Sequence, residues 1–138
     1  MRKVFVSVMS LCLTPAVAMA DDCSVSRYPV LQVDGSGAVT VEGTVRARTV
    51  RHQLNPSIRP WRILVLHLRA PRCIQGVHGE DGSPADYDRV RRIQLVNPPR
   101  GVRPGQRLSL SGRLIEESTA WHHEALLMVE PEPVIAAD

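Results

Sequence analysis

Residues 39–49 read Val39-Thr40-Val41-Glu42-Gly43-Thr44-Val45-Arg46-Ala47-Arg48-Thr49, and their strict alternation decides the fold class. Val39, Val41, Gly43, Val45 and Ala47 fall on one side of an extended chain, and Thr40, Glu42, Thr44, Arg46 and Arg48 on the other. A period of two in a segment rich in β-branched residues marks a strand with one face in a core and one in water. Asp34-Gly35-Ser36-Gly37 ahead of it is a turn, which leaves residues 28–33 as a short edge segment.

Working outward, Asn55-Pro56 and Arg59-Pro60 break the chain before a second strand at 61–69. Its Ile63-Leu64-Val65-Leu66 run is apolar on both faces, which places it centrally, covered on each side. Pro71 is expected to end it, and residues 78–88 read as a polar loop. A third strand covers 90–96 and stops at Asn97-Pro98-Pro99. Pro104-Gly105 turns the chain into a fourth, 106–116, where Leu108, Leu110, Gly112 and Leu114 alternate with Ser109, Ser111 and Arg113. A fifth strand spans 124–130, and residues 131–138 form a flexible, acidic and Pro-rich tail. No stretch carries an apolar stripe of helical period and length.

A glycine in the middle of both the first and the fourth strand suits a small closed barrel, in which strands bend sharply where no side chain intervenes. The expected fold is therefore all-β: a five-stranded OB-like Greek-key barrel over residues 21–130, with a small β-sandwich as the alternative. The helix usual between strands three and four of that barrel has no room in residues 97–105, which are rich in Pro and Gly.

The N-terminus has the three parts of a secretory signal. Arg2 and Lys3 form a positive start, residues 4–13 a short apolar run, and Ala18-Met19-Ala20 a small-residue cleavage site. Residues 1–20 are thus expected to be removed and the protein to be periplasmic or secreted in a bacterium. The apolar run is shorter than the roughly 20 residues a bilayer requires, so no transmembrane segment is expected. Neither Cys12 nor Cys23 follows the pattern that lipid attachment needs. Removal of the signal lowers the formal net charge from +3 to +1 and leaves arginine as the sole strongly basic residue type. It also leaves two cysteines, Cys23 and Cys73, which in an oxidising compartment read as one disulfide. Closing a loop of about 50 residues is worth about 4 kcal/mol on the chain-entropy view.

Several landmarks carry a family likeness: Cys23 soon after the signal, the Val39–Val45 stretch, and the strand from Ile63 to Leu68 leading into Ala70-Pro71-Arg72-Cys73. Val90-Arg91-Arg92-Ile93-Gln94-Leu95-Val96, Leu110-Ser111-Gly112-Arg113-Leu114, Thr119-Ala120-Trp121-His122-His123 and Leu126-Leu127 complete the set. In their order and spacing the chain resembles the domain-of-unknown-function family 4431, small exported bacterial proteins. The resemblance implies a compact exported β-barrel-like domain and no particular activity.

His122-His123-Glu124 is the sharpest polar cluster. On an extended strand His122 and Glu124 would share a face and His123 would oppose it. Together with Trp121 they are candidate residues for a small ligand or for Zn or Cu, although a structural metal needs about four ligands, which His52, His67 or His78 would have to complete. The loop acids Glu80, Asp81, Asp86 and Asp88 lack the spacing of a calcium loop and read as solvated surface. Arg46 and Arg48 on strand one and Arg113 on strand four are expected to form one outward patch for carboxylates or phosphates. Trp61 and Trp121 are expected to pack at the core or the barrel rim.

No nucleic-acid partner is expected, because the net charge is small and aromatic residues for base stacking are few. Gly-x-Ser-x-Gly, His-Glu-x-x-His and Cys-x-x-Cys are all absent, so the expectation is a module without catalysis and without an obligate cofactor. Its partner is expected to be another envelope or secreted protein, in an inhibitor, immunity or stress role. A periplasmic small-ligand or metal binder is the alternative.

Overall fold

Alternation in the 39–49 stretch produces a 13-residue strand that is the hub of a six-stranded mixed sheet. The computed structural model describes residues 21–134; the signal segment and the last four residues of the tail lie outside the described residues. After a single 3-10 turn at Cys23–Val25 the chain forms β1 (Val30–Gln32), β2 (Ala38–Val50), β3 (Trp61–His78), β4 (Pro84–Val96), β5 (Arg107–Glu116) and β6 (Leu126–Pro133).

Pairings run round a ring: β2 with β3, β3 with β4, β4 with β6, β6 with β5, and β5 back to β2. All are antiparallel except β4–β6. β1 is the short edge segment, parallel to β3 with Val30 opposite Cys73. No α-helix occurs among the described residues, and turns occupy the connection from β4 to β5. The expected all-β class and the Cys23–Cys73 disulfide are both present, the two Cα atoms lying 5.6 Å apart.

Val39, Val41 and Val45 point into the ring, where they meet Leu66, Ile74, Ile93, Leu110, Leu114, Leu126 and Met128. Each such side chain contributes about 1.5–3 kcal/mol of burial. The other side of β3 is also covered, as its doubly apolar run implied: Val50, Ile63 and Val65 form a second cluster against Trp61. Gly43 and Gly112 are required where strands approach closely. A Cβ at Gly43 would stand 2.3 Å from the His67 carbonyl oxygen, and one at Gly112 would stand 2.6 Å from Met128 Cγ.

Three boundaries differ from the sequence reading. β3 does not stop at Pro71 but continues to His78, because the ladder with β4 absorbs the proline at an irregularity between the His67–Arg92 and Arg72–Val90 pairs. A proline has no N–H to contribute, so a bulge accommodates it without loss. The polar loop expected at 78–88 contracts to a turn at 79–83, in which Gly79 N–H donates to Ser83 O and Asp81 accepts from the Ser83 N–H and hydroxyl. β6 runs into the expected tail as far as Pro133, with Pro131 wholly buried.

Candidate functional site

The loop from β5 to β6, residues 117–125, lies as a strap across the outer face of β2, β3 and β4. Gln94, buried on β4, holds it at two points: its amide oxygen accepts from His123 N–H at 2.7 Å and its amide nitrogen donates to Trp121 O at 3.4 Å. Arg48 on β2 donates through Nη1 to Glu124 Oε1 at 2.9 Å and through Nη2 to His123 O at 3.1 Å. Arg92 on β4 approaches the same carboxylate oxygen at 3.5 Å. Glu124 is therefore a buried anion shared by two guanidinium groups, and it anchors the strap.

That arrangement corrects the expected grouping of His122 with Glu124. The β6 ladder begins only at Leu126, so residues 122–124 do not follow strand alternation. His122 Nδ1 accepts from the Ser118 and Thr119 N–H groups, which makes the imidazole a loop staple. His123 packs edge-on to Trp61, ring centroids 5.4 Å apart, with its Nε2 buried and without a hydrogen-bond partner. Burial first, then the Arg48 charge, hold His123 below the usual imidazole range. The histidines proposed to complete a metal site are dispersed. His52 Nδ1 accepts from the Leu54 and Asn55 N–H groups, His67 stands on the open face of β3, and His78 packs near Gly37. Among the described residues no three His, Cys, Asp or Glu side chains converge in a way that would hold a metal ion.

The expected three-arginine patch also does not form. Arg113 lies opposite Ala38 and packs against Gly37, whereas Arg46 and Arg48 lie opposite Val65 and Ile63. β2 and β5 do pair, but the register sets Arg113 eight residues from Arg46 along β2, about 26 Å at about 3.3 Å per residue. Arg48 is committed to the strap and Arg46 remains exposed.

What the sequence reading missed is where Trp61, Trp121 and His52 meet. The centroids of Trp121 and Trp61 are 4.7 Å apart, and those of Trp121 and His52 also 4.7 Å, edge to face. The β2–β3 loop, residues 51–60, reaches the strap through Gln53, whose amide donates to His122 O at 2.7 Å. Two loops far apart in sequence thus meet, one carrying Trp121, 49% exposed, and the other Leu54, 84% exposed. Leu54 borders a shallow depression of about 340 Å³ with residues 117–120. Trp61 and Trp121 also line a cleft of about 380 Å³ with Arg62, Gln94 and Asn97. Large exposed apolar side chains flanked by arginine have the composition of an interaction hot spot. The only signal in the sequence was a pair of tryptophans, each followed or preceded by residues of ambiguous role.

The acids at 80–88 serve the fold. Asp86 accepts from the Cys23 and Gly76 N–H groups, and Asp88 from the Ser26 hydroxyl, tying the N-terminal segment to β4. Compared with family models, with curated proteins and with solved structures, the chain finds no match.

Proposed function

We propose that this is an exported, non-catalytic binding module of the OB type that recognises another protein of the bacterial envelope or exterior, in the periplasm or after secretion. The observation that carries the reading is the convergence of Trp121 with Trp61 and His52, where the strap meets the 51–60 loop that also carries the exposed Leu54. Exposed leucine and tryptophan held by two hydrogen-bonded loops lose little conformational freedom on binding, and they lose apolar contact with water. Arg51, Arg59 and Arg62 are exposed on the adjoining residues, which favours a partner with acidic groups around an apolar centre.

The OB assignment is supported by the closed order of pairings and by the parallel pair within the ring, β4–β6. In barrels of that type the ligand side is formed by the second and third barrel strands with the loops after the first and fourth. Here those are β3, β4 and the loops 51–60 and 117–125. The export signal and the disulfide support the compartment, and no helix among the described residues is long and apolar enough to cross a membrane. We place the chain with the domain-of-unknown-function family 4431 on the residues that carry the resemblance. Those at 39–45, 63–68, 90–96 and 110–114 belong to four of the five strands of the ring.

The test is affinity capture from an envelope fraction with the oxidised protein, alongside a Leu54→Ser/Trp121→Ala variant and an Arg113→Gln control on β5, opposite the remote end of β2. A partner retained by the parent and the control, lost by the double variant, and rebound after purification supports the reading. A captured set that the double variant leaves unchanged overturns it.

A further inference from the structure

The β3–β4 ladder is broken at the end of the outer face away from the tryptophans. From the His67–Arg92 pair to the Arg72–Val90 pair, β3 advances five residues while β4 advances two, so three extra residues of β3 are looped out. An ordinary bulge inserts one. The opening leaves a groove of about 730 Å³, lined by His67, Arg69, Arg89, Arg91 and Arg92 together with Tyr87, Asp21, Asp88 and Glu124.

The charges of this groove are unevenly satisfied. Glu124 is shared between Arg48 and Arg92, so that trio keeps a positive charge. Asp88 accepts from the Ser26 hydroxyl and the Arg89 N–H, and Asp21 accepts from the Asp88 N–H, so both acids are hydrogen-bonded within the chain while keeping their charge. The four arginines of the groove exceed its three carboxylates by one. Arg69 has only a loose contact, 3.8 Å, with the exposed Glu42. Among the described residues Arg89 and Arg91 have no carboxylate within ion-pair distance, and Arg46 stands unpaired on the neighbouring strand. His67 feels the excess: burial first, then Arg92 and Arg46, keep its imidazole below the usual range.

Arg89 is held in a way that folding alone does not favour. Its φ is +53°, in the left-handed region, at a second irregularity where β4 carries one more residue than β3 between the Arg72–Val90 and Ile74–Tyr87 pairs. Glycine is the residue that takes such a position without strain. The arginine there is among the residues that line the groove, and its guanidinium lies 5.9 Å from the Tyr28 ring centroid.

We propose that this groove is a binding site for a small multivalent oxyanion, a phosphate or polycarboxylate group, gripped by Arg69, Arg89, Arg91 and Arg92. Guanidinium groups present paired N–H donors that match either kind of oxyanion. A concave site also concentrates the field of several like charges. The proposal does not depend on the protein-binding reading, since the groove and the tryptophan surface lie at opposite ends of the face and are probed by different residues.

The experiment titrates the oxidised protein with pyrophosphate and, separately, with citrate at low ionic strength, by calorimetry and by NMR of the His67 ring protons. Saturable binding of at least one is expected, with a rise in the His67 titration midpoint as the anion adds negative charge. Arg91→Gln/Arg69→Gln should weaken it by about tenfold or more. Arg89→Gly should weaken it without lowering the melting temperature, which separates recognition from folding. Binding of pyrophosphate alone assigns the site to phosphates, and of citrate alone to carboxylates. Absence of saturable binding by both overturns the proposal. So does binding that the groove variants leave intact, whether or not Arg113→Gln abolishes it.

Discussion

Arg48 and Glu124 meet at 2.9 Å across the outer face of the barrel, 76 residues apart in sequence, while the second nitrogen of the same guanidinium reaches the carbonyl of His123. One side chain on β2 thus fixes both the charge and the backbone of the strap. The strap in turn covers the second apolar cluster of β3. A planar fork can do this and a lysine ammonium cannot, because the two acceptors are met by two nitrogens in fixed geometry.

Removing Glu124 is therefore expected to loosen the strap. A wholly buried pair broken on one side costs about 3–5 kcal/mol. Here Arg48 and Arg92 are 39% and 50% exposed, so solvent compensates much of the loss and Glu124→Ala should cost about 1–2 kcal/mol. Arg48→Lys should fall in the same range, since it keeps the charge and loses the second hydrogen bond. Urea unfolding reads both, and unchanged midpoints would mean that Gln94 alone holds the strap.

The pH dependence of stability should trace to His123. Its folded-state value lies below the 6.5 of a free imidazole, chiefly because burial disfavours the cation. The unfolded chain therefore binds more protons, and stability is complete above about pH 6.5 and declines as pH falls toward and through the lower folded value. His123→Phe keeps a ring against Trp61 and removes the unpartnered Nε2. It should flatten part of that decline, leaving the part owed to His67, whose imidazole is also held below the usual range by burial. At neutral pH it should raise stability by about 1 kcal/mol, because a buried unsatisfied atom is replaced by an apolar one. Denaturant midpoints measured at several pH values check both outcomes, and parallel profiles for the two proteins would contradict them.

These two sites also show what the sequence could and could not disclose. Alternation over 39–49 and the glycines at 43 and 112 make the ring legible, because period and bend are local properties. The doubly apolar run at 63–66 even announces the second core. The positions of Arg113 and Pro71 were not legible, since register is set by the whole ladder: the pairing of Arg113 with Ala38 sets it eight residues from Arg46 and ten from Arg48 along β2, and one bulge carries β3 past its proline. His122 and Glu124 were misread for a related reason. Strand alternation was applied to a segment whose conformation is dictated by Gln94 and Arg48, residues far away in the chain.

The two bend glycines should not tolerate alanine equally. At Gly43 the obstructing atom is the His67 carbonyl oxygen, at 2.3 Å, which belongs to a paired backbone and cannot turn aside. At Gly112 the nearest atoms, 2.6 and 3.1 Å away, belong to the Met128 side chain, which is flexible, with Val129 O also at 3.1 Å. Overpacking costs about 1–3 kcal/mol in ordinary cores. Gly43→Ala should reach or exceed the upper end and Gly112→Ala should stay near the lower. Equal costs in denaturant unfolding would remove the close approach of β2 and β3 as the reason for Gly43.

Loss of the disulfide should act on one edge of the molecule. Cys23 and Cys73 join the N-terminal turn to β3 across 50 residues, and β1 is attached to β3 by only three paired positions. None of the ring pairings involves β1. Cys23→Ala/Cys73→Ala is expected to lower global stability by about 4 kcal/mol, through the entropy returned to the unfolded chain. In the folded state it should release residues 21–33 while the ring persists, because what then tethers that segment is a few part-buried hydrogen bonds to Asp86 and Asp88, the three β1 positions and Val33. Native-state hydrogen exchange separates the two effects. Protection should vanish at Leu31 and Val33, whose N–H groups face β3, and should survive at Leu66, Ile93 and Leu110. Uniform loss of protection along the whole chain would instead make β1 an integral part of the cooperative unit.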